Sequence, residues 1–225
     1  MLGNPAFASA AMRHRVAAAT EHLPAIKLTQ AKSLIDIGAN KGQFSLAFRG
    51  SFPMARIDAF EPLPEAGDTY AAVFAGDENT HLHRNAIADF EGELKFYVTD
   101  RADSSSLLVP GVGQREAFGV SEARTIMVPV QRLTSCVDLL SLQRPILMKI
   151  DVQGAELQVV RSVANLDVEF IYCELSFVDL YDGQATVIEF FDHLAAHGFA
   201  LVGVFNQVNT DRFGPTQADF LFKRR

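Results

Sequence analysis

One stretch constrains the fold of this chain more than any other. An apolar run breaks into an acid, a glycine turn and a helix start: Leu34-Ile35-Asp36-Ile37-Gly38-Ala39-Asn40-Lys41-Gly42-Gln43-Phe44. The run reads as a buried strand ending at Gly38, followed by a helix from about Gly42. Glycines at such a turn accept unusual backbone angles and let a ligand approach the main chain. About twenty residues on, a second strand, Arg56-Ile57-Asp58-Ala59-Phe60, ends in Glu61-Pro62. That spacing marks a nucleoside site, with the acid accepting hydrogen bonds from ribose hydroxyls. The plainer reading of Glu61 is a strand terminus.

Charge selects among nucleosides. A dinucleotide fingerprint needs glycine at the first, third and sixth positions of the turn. Here these are Gly38, Asn40 and Gln43, so two of the three fail. Asp36 lies beside the place a pyrophosphate would take, and a carboxylate repels phosphate while attracting an ammonium group. S-adenosylmethionine carries an ammonium and a sulfonium and no phosphate, and Asp36 suits it. The pattern Asp-x-Gly-x-Asn-x-Gly looks like the first motif of class I methyltransferases.

The rest of the chain alternates strand and helix. A leading alanine-rich helix is expected from about Pro5 to His22, within an N-terminal helical segment 1–30. Strands follow at Ser33–Gly38, Arg56–Phe60, Thr80–Arg84, Pro145–Val152 and Glu169–Leu175, and a final pair at Ala200–Phe205 and Ala218–Lys223. Helices are expected at Gly42–Ser51, Leu63–Phe74, Gly154–Val163 and Gln184–His197, with a short piece at Val137–Leu142. This order predicts an α/β fold with a mostly parallel sheet covered by helices on both faces. The alternation breaks between Phe90 and Leu133. Two strand-like runs, Glu93–Thr99 and Thr125–Leu133, flank a polar stretch, and Pro129 predicts an edge position for the second. This β-rich insertion is either a lid over the ligand edge or a surface hairpin. The 225 residues are read as a single domain.

The net charge of −7 argues against a bulk nucleic-acid partner. No apolar stretch approaches a membrane span. Cys136 and Cys173 have no metal-type spacing and read as buried free thiols. Together with the absence of a signal-peptide core, they make a cytoplasmic location the expectation.

A second constellation closes the fourth strand: Lys149-Ile150-Asp151-Val152-Gln153-Gly154-Ala155-Glu156. Side chains alternate along a strand, so Lys149 and Asp151 share a face. Ligands of open α/β sheets bind outside the carboxyl ends of the strands, where Asp151 falls. Lys149 lies one step deeper and needs a partner, which Asp151 or Glu174 can supply. With Asn85-Ala86-Ile87-Ala88-Asp89 and Gly92, these blocks run in order from about residue 33 to 175. On them the chain resembles the FkbM-type methyltransferases, a branch of the class I S-adenosylmethionine-dependent enzymes.

The resemblance implies a Rossmann-like, doubly wound sheet of seven strands with a reversed last strand. It also implies methyl transfer to a hydroxyl oxygen of a sugar, glycan or secondary metabolite. By matching position it places Asp36 and Gly38 near the methionine part of the cofactor, and counts Ala39, Asn40 and Gly42 among the cofactor-binding residues. Glu61 and Pro62 fall at the ribose, Asn85 and Ala86 beside the adenine, and Asp151 facing the methyl. Such a transfer needs alignment and removal of the acceptor proton. Asp151 is the candidate base, Glu174 the second, and Lys149 an orienting cation.

Each has a structural alternative: Asp151 as a cap for the helix near Gly154, and Lys149 with Glu174 as an ion pair. His81 and His83 read as structural. Ser104-Ser105-Ser106 reads as substrate contact or solvated loop, and Asp179, Tyr181 and Asp182 as acceptor lining or surface turn. A divalent metal bridging Asp151, Glu174 and a substrate diol is compatible with these ligands, though no ligand cluster calls for one. The rival classes are a nicotinamide-dependent oxidoreductase, an RNA-directed methyltransferase and a non-catalytic nucleoside-binding module. The motifs name neither the acceptor nor an oligomeric state.

Overall fold

The structure, a computed structural model, describes residues 12–163 and 166–225. Its centre is a seven-stranded sheet. In chain order the elements of its first half are α1 (Leu23–Thr29), β1 (Ser33–Ile37), α2 (Gln43–Ser51), β2 (Arg56–Phe60), α3 (Pro64–Val73) and β3 (Thr80–His83). The second half holds β7 (Ile146–Ile150), α6 (Glu156–Arg161), β8 (Phe170–Ser176), α7 (Val187–Ala196), β9 (Phe199–Thr210) and β10 (Gly214–Arg224). Strand order is β3-β2-β1-β7-β8-β10-β9. The first five strands are parallel, and β10 runs antiparallel to both β8 and β9. This is the Rossmann-like arrangement with its last strand reversed.

Every residue of β1 and β7 is buried, as expected of strands covered on both faces. Alternation sends Ile35, Ile37, Met148 and Ile150 into one core with Val159, Val160 and Leu194. Leu34, Ile57 and Ala59 go into the other with Phe44, Phe48 and Tyr70. Phe48 has no exposed surface, and burying such a ring contributes roughly 1.5–3 kcal/mol.

Between β3 and β7 lies a three-stranded sheet of order β4-β6-β5, from β4 (Ala86–Ile87), β5 (Gly92–Thr99) and β6 (Glu122–Gln131). It also carries α4 (Val112–Phe118), and α5 (Leu133–Cys136) follows it. Phe96, Val98, Val128 and Val130 pack with Leu63 and Ala66 at the start of α3, which seats this insertion on the main sheet.

Several expectations need correction. Residues 5–11 of the anticipated leading helix lie outside the described residues. From residue 12 the helix ends by Arg15, whose φ is +57°. A new helix starts at Leu23 because Pro24 fits only a first turn. Pro129 is on the central strand of the small sheet. β4 joins β6 only at Val130 and Gln131, so the proline loses no pairing to it. The Val137–Leu142 piece holds only a 3₁₀ turn at Leu139–Ser141; the helical turn α5 precedes it. The final hairpin is longer on both strands: β9 continues past Phe205 into the largely polar run 206–210, and β10 begins at Gly214. Cys173 is buried as expected, but Cys136 is half-buried and donates to Gln131 Oε1 at 3.1 Å.

Candidate active site

The tips of β1 and β7 are neighbours, with Asp36 opposite Lys149 and Ile37 opposite Ile150. Past β1 the backbone turns through Gly38 (φ +78°), Asn40 (+47°) and Gly42 (+94°). A Cβ on Gly38 would stand 1.8 Å from the Asp151 carbonyl oxygen, so this position is glycine by contact as well as by angle. The Gly38 and Ala39 N–H groups donate to the Phe60 carbonyl, each at 3.0 Å, tying this turn to the end of β2. Gly42 serves packing: a Cβ there would meet the Phe74 ring at 2.7 Å.

Glu61 joins the two motifs of the first half. Its carboxylate accepts from the N–H of Asn40 at 2.8 Å and of Leu63 at 2.7 Å. Burial pushes this carboxyl up to about 7 despite those bonds. Each oxygen keeps a lone pair for a further donor. The Asn40 Oδ1 atom is buried and has no hydrogen-bond partner among the described residues.

Asp36 is fully buried and lines none of the clefts described below. Ser45 donates to its Oδ2 at 2.6 Å, and Lys149 Nζ lies 3.3 Å from Oδ1. The cation expected to be attracted by Asp36 is therefore supplied from within the fold. Lys149 also donates to the Gly38 carbonyl at 2.7 Å and lies 3.6 Å from Asp151 Oδ2. Burial disfavours its charge, but Asp36 and Asp151 outweigh burial and hold its pKa above the usual lysine range. Its partners are these two aspartates and not Glu174.

Asp151 does not cap the following helix: Ala155 is the cap residue of α6, with no side-chain cap bond. The turn is held by Glu156, which accepts from the N–H of Gly154 at 2.9 Å and of Val152 at 3.4 Å. Gln153, left-handed at φ +58°, donates from one amide nitrogen to Asp151 Oδ1 (2.8 Å) and Glu174 Oε1 (3.0 Å). The Tyr181 hydroxyl lies 2.7 Å from the Ser104 carbonyl and 2.9 Å from Gln153 Oε1, which share its one hydrogen, and Gln114 of α4 donates to it at 3.0 Å. Burial, then the charges of Asp151 and Asp219, push the Glu174 carboxyl well above the usual range.

The serine run is buried and not a solvated loop. Ser106 Oγ lies within hydrogen-bond reach of the carbonyls of Val152 (3.2 Å) and Gln153 (2.7 Å), and Ser105 accepts from the Thr99 N–H at 3.1 Å. Tyr181, read as lining or surface turn, is buried against these groups. His83 stacks on Phe60 at 4.5 Å and pairs with Asp58, a structural place. Nothing in the sequence flagged Gln114, Gln153 or Tyr181 as one network, because the links are made between distant segments.

Three clefts meet here. The first, about 620 Å³, is lined by Gly38, Asn40, Glu61, Pro62, Asn85, Ala86 and Asp151, and roofed by Phe96, Ser105 and Leu107 of the insertion. The second, about 860 Å³, runs between Ala39, Lys149, Asp151 and the N-terminal segment at Ala17–Ala19 and His22. The third, about 560 Å³, is polar, with Arg101, Gln114, Asp151, Gln153, Glu174 and Gln217 in its wall. Asp151 and Asp103 line all three. Among the described residues no group of three or more His, Cys, Asp or Glu is arranged to hold a metal ion. No helix among them is long and apolar enough to cross a membrane.

A mostly parallel sheet with a reversed last strand, and a glycine turn answered by an acid one strand away, make up the Rossmann-like fold of class I methyltransferases. The sequence model of the methyltransferase FkbM domain matches residues 36–201, and the chain belongs to that family. It is 26% identical over 185 residues to Methyltransferase 1 of Beauveria bassiana (strain ARSEF 2860), covering 75% of this chain and 72% of that protein. It is 29% identical over 156 residues to Methyltransferase sdnD of Sordaria araneosa, covering 58% of this chain and 60% of that one. Among solved structures, the O-methyltransferase TomG of Streptomyces achromogenes, bound to S-adenosylmethionine, superposes with a TM-score of 0.57. It shares 13% identity over 99% of this chain and 91% of its own, a likeness of fold. The chain is a methyltransferase.

Proposed function

We propose that the chain transfers a methyl group from S-adenosylmethionine to a hydroxyl oxygen of a sugar, glycan or secondary metabolite. The residues fit that cofactor. Glu61 has lone pairs free for ribose hydroxyls, Asn40 Oδ1 is a buried acceptor in want of a donor, and Phe96 with Leu107 gives an apolar roof over Asn85 and Ala86. Bound there, the cofactor would supply an electrophilic methyl group on sulfur.

The observation that carries the reading is the position of Asp151 where the three clefts join. Asp151 accepts the proton of the acceptor hydroxyl, whose oxygen would take the methyl group that the bound cofactor supplies. Gln153 and Lys149 hold the two carboxylate oxygens of Asp151. Glu174, whose carboxyl pKa is raised by burial and by Asp151 and Asp219, accepts from Gln153 and Gln217 in the acceptor cleft and is the second candidate base. The amides and carboxyls of that cleft suit a hydroxyl-rich acceptor, and its acids disfavour the phosphates of RNA. The insertion acts as a lid, since its residues line all three clefts. The test is incubation of wild type and Asp151→Asn with labelled cofactor and a panel of glycans and metabolites, read by mass spectrometry. One added methyl on an oxygen, lost in the variant, supports the reading; methyl gain on nitrogen or carbon contradicts it.

A further inference from the structure

One polar cluster, built on the buried Asp219 and Tyr172, stays outside this machinery. His22 Nδ1 lies 3.0 Å from the Tyr172 hydroxyl and 3.2 Å from Asp219 Oδ2. Tyr172 and Asn206 both donate to that same oxygen, at 2.8 Å and 2.7 Å. Asp219 is 4% exposed. Burial alone would raise its pKa, but hydrogen bonds from His22, Asn206 and Tyr172 prevail and keep it ionised. A carboxylate in this position favours a hydrogen on Nδ1 and leaves Nε2 on the far side of the ring. The charged group nearest to Nε2 is Glu21 Oε1, at 3.8 Å. The ring packs on Phe44 at 5.3 Å, and both residues line the second cleft. His22, Asn206 and Asp219 all lie outside the family-matched residues 36–201.

The charges of that cleft are lopsided. Glu21, Asp103 and Asp151 line it, so an ammonium group has several carboxylates within its walls. A carboxylate has fewer choices. Lys149 is already engaged by the Gly38 carbonyl, Asp36 and Asp151. What remains is His22 Nε2, aided by the first turn of α2 at Gln43 and Phe44, where the helix dipole is positive. The second cleft also shares Gly38, Asn40, Asp103 and Asp151 with the first. A nucleoside seated in the first cleft and carrying an amino-acid tail thus has a continuous path into the second.

We infer that His22, held by Asp219, binds the carboxylate of the cofactor's amino-acid end. The inference rests on the cofactor reading above. Protonated, the ring has one N–H for Asp219 and one for the ligand, a pair of charge-assisted bonds with no atom left over.

Calorimetric titration of wild type, His22→Gln and Asp219→Asn with three ligands tests this. The ligands are S-adenosylhomocysteine, its decarboxylated analogue, which keeps the amine, and 5′-methylthioadenosine, which lacks the whole amino-acid end. His22→Gln should weaken S-adenosylhomocysteine about tenfold or more, the loss of one charge-assisted bond, and leave the other two within about twofold. Asp219→Asn should show the same selectivity with a smaller loss. Unchanged S-adenosylhomocysteine affinity in His22→Gln, or an equal loss for all three ligands, overturns the assignment. If wild type binds none of the three, the cofactor reading itself fails; if wild type binds and the variants do not discriminate, only the role of His22 fails.

Discussion

The two turns that meet at the centre of the sheet reach left-handed backbone by opposite means. The first, after β1, relies on Gly38, Asn40 and Gly42, and its peptide groups are held by main chain, by Glu61 and by Lys149. The second, after β7, relies on Gln153 and Gly154, and side chains secure it: Glu156 from within, Ser106 and Tyr181 from segments far along the chain. The contrast separates two tasks. A turn that receives a ligand stays small and leaves surface bare. The turn that carries Asp151 is clamped, and the clamp passes through the insertion, so under the proposed function the acceptor cleft and the base are built together.

Substitutions at the two turns sharpen that contrast. Gly38→Ala should be the most damaging, since its Cβ meets fixed backbone at 1.8 Å; a loss above about 3 kcal/mol in urea unfolding is expected. Gly154→Ala is also left-handed but meets the Tyr181 side chain at 3.0 Å, and should cost about 1–2 kcal/mol. Equal costs at the two glycines would break the comparison. Asp151→Asn should keep S-adenosylhomocysteine affinity and lower methyl transfer by roughly 10²–10⁴, measured with labelled cofactor.

The clamped turn also has a pH signature. Burial raises the Glu156 carboxyl from 4.5 to about 7, so the folded state holds that proton more tightly than the unfolded chain. Its stabilisation is full below about 4.5 and lost as pH rises through about 7, on the order of 3 kcal/mol. Glu61 shifts in the same direction. Unfolding free energy should therefore fall between pH 5 and pH 8, and Glu156→Gln should remove part of that fall; an unchanged slope would contradict the assignment. The smallest effect belongs to Tyr181→Phe. Losing the hydroxyl removes its bonds to the Ser104 carbonyl, Gln153 Oε1 and Gln114 Nε2 and should cost about 0.5–1 kcal/mol by thermal melting.

Much of the fold is legible in the sequence because the signals are local. The apolar run into Gly38, the Glu61-Pro62 strand end and the alternation that puts Lys149 and Asp151 on one face all follow from neighbours in the chain. What escapes is contact between strands that the chain does not order. Asp36 reads as a ligand-facing acid until β1 and β7 are seen in register, which sets it against Lys149. Serines 104–106 read as loop because nothing nearby shows that they close over Gln153. The insertion shows its strands by period, yet its contribution of Phe96 and Leu107 to the first cleft depends on how it seats on α3. His22 carries no local signal, since its partners come from β8, β9 and β10.

The most direct test of the account is a paired calorimetric titration of the intact protein with S-adenosylhomocysteine and with NAD. The geometry of the Gly38 turn and Glu61 predicts one saturable site for the first and no measurable heat from the second. Saturable binding of NAD, with S-adenosylhomocysteine silent, would contradict it.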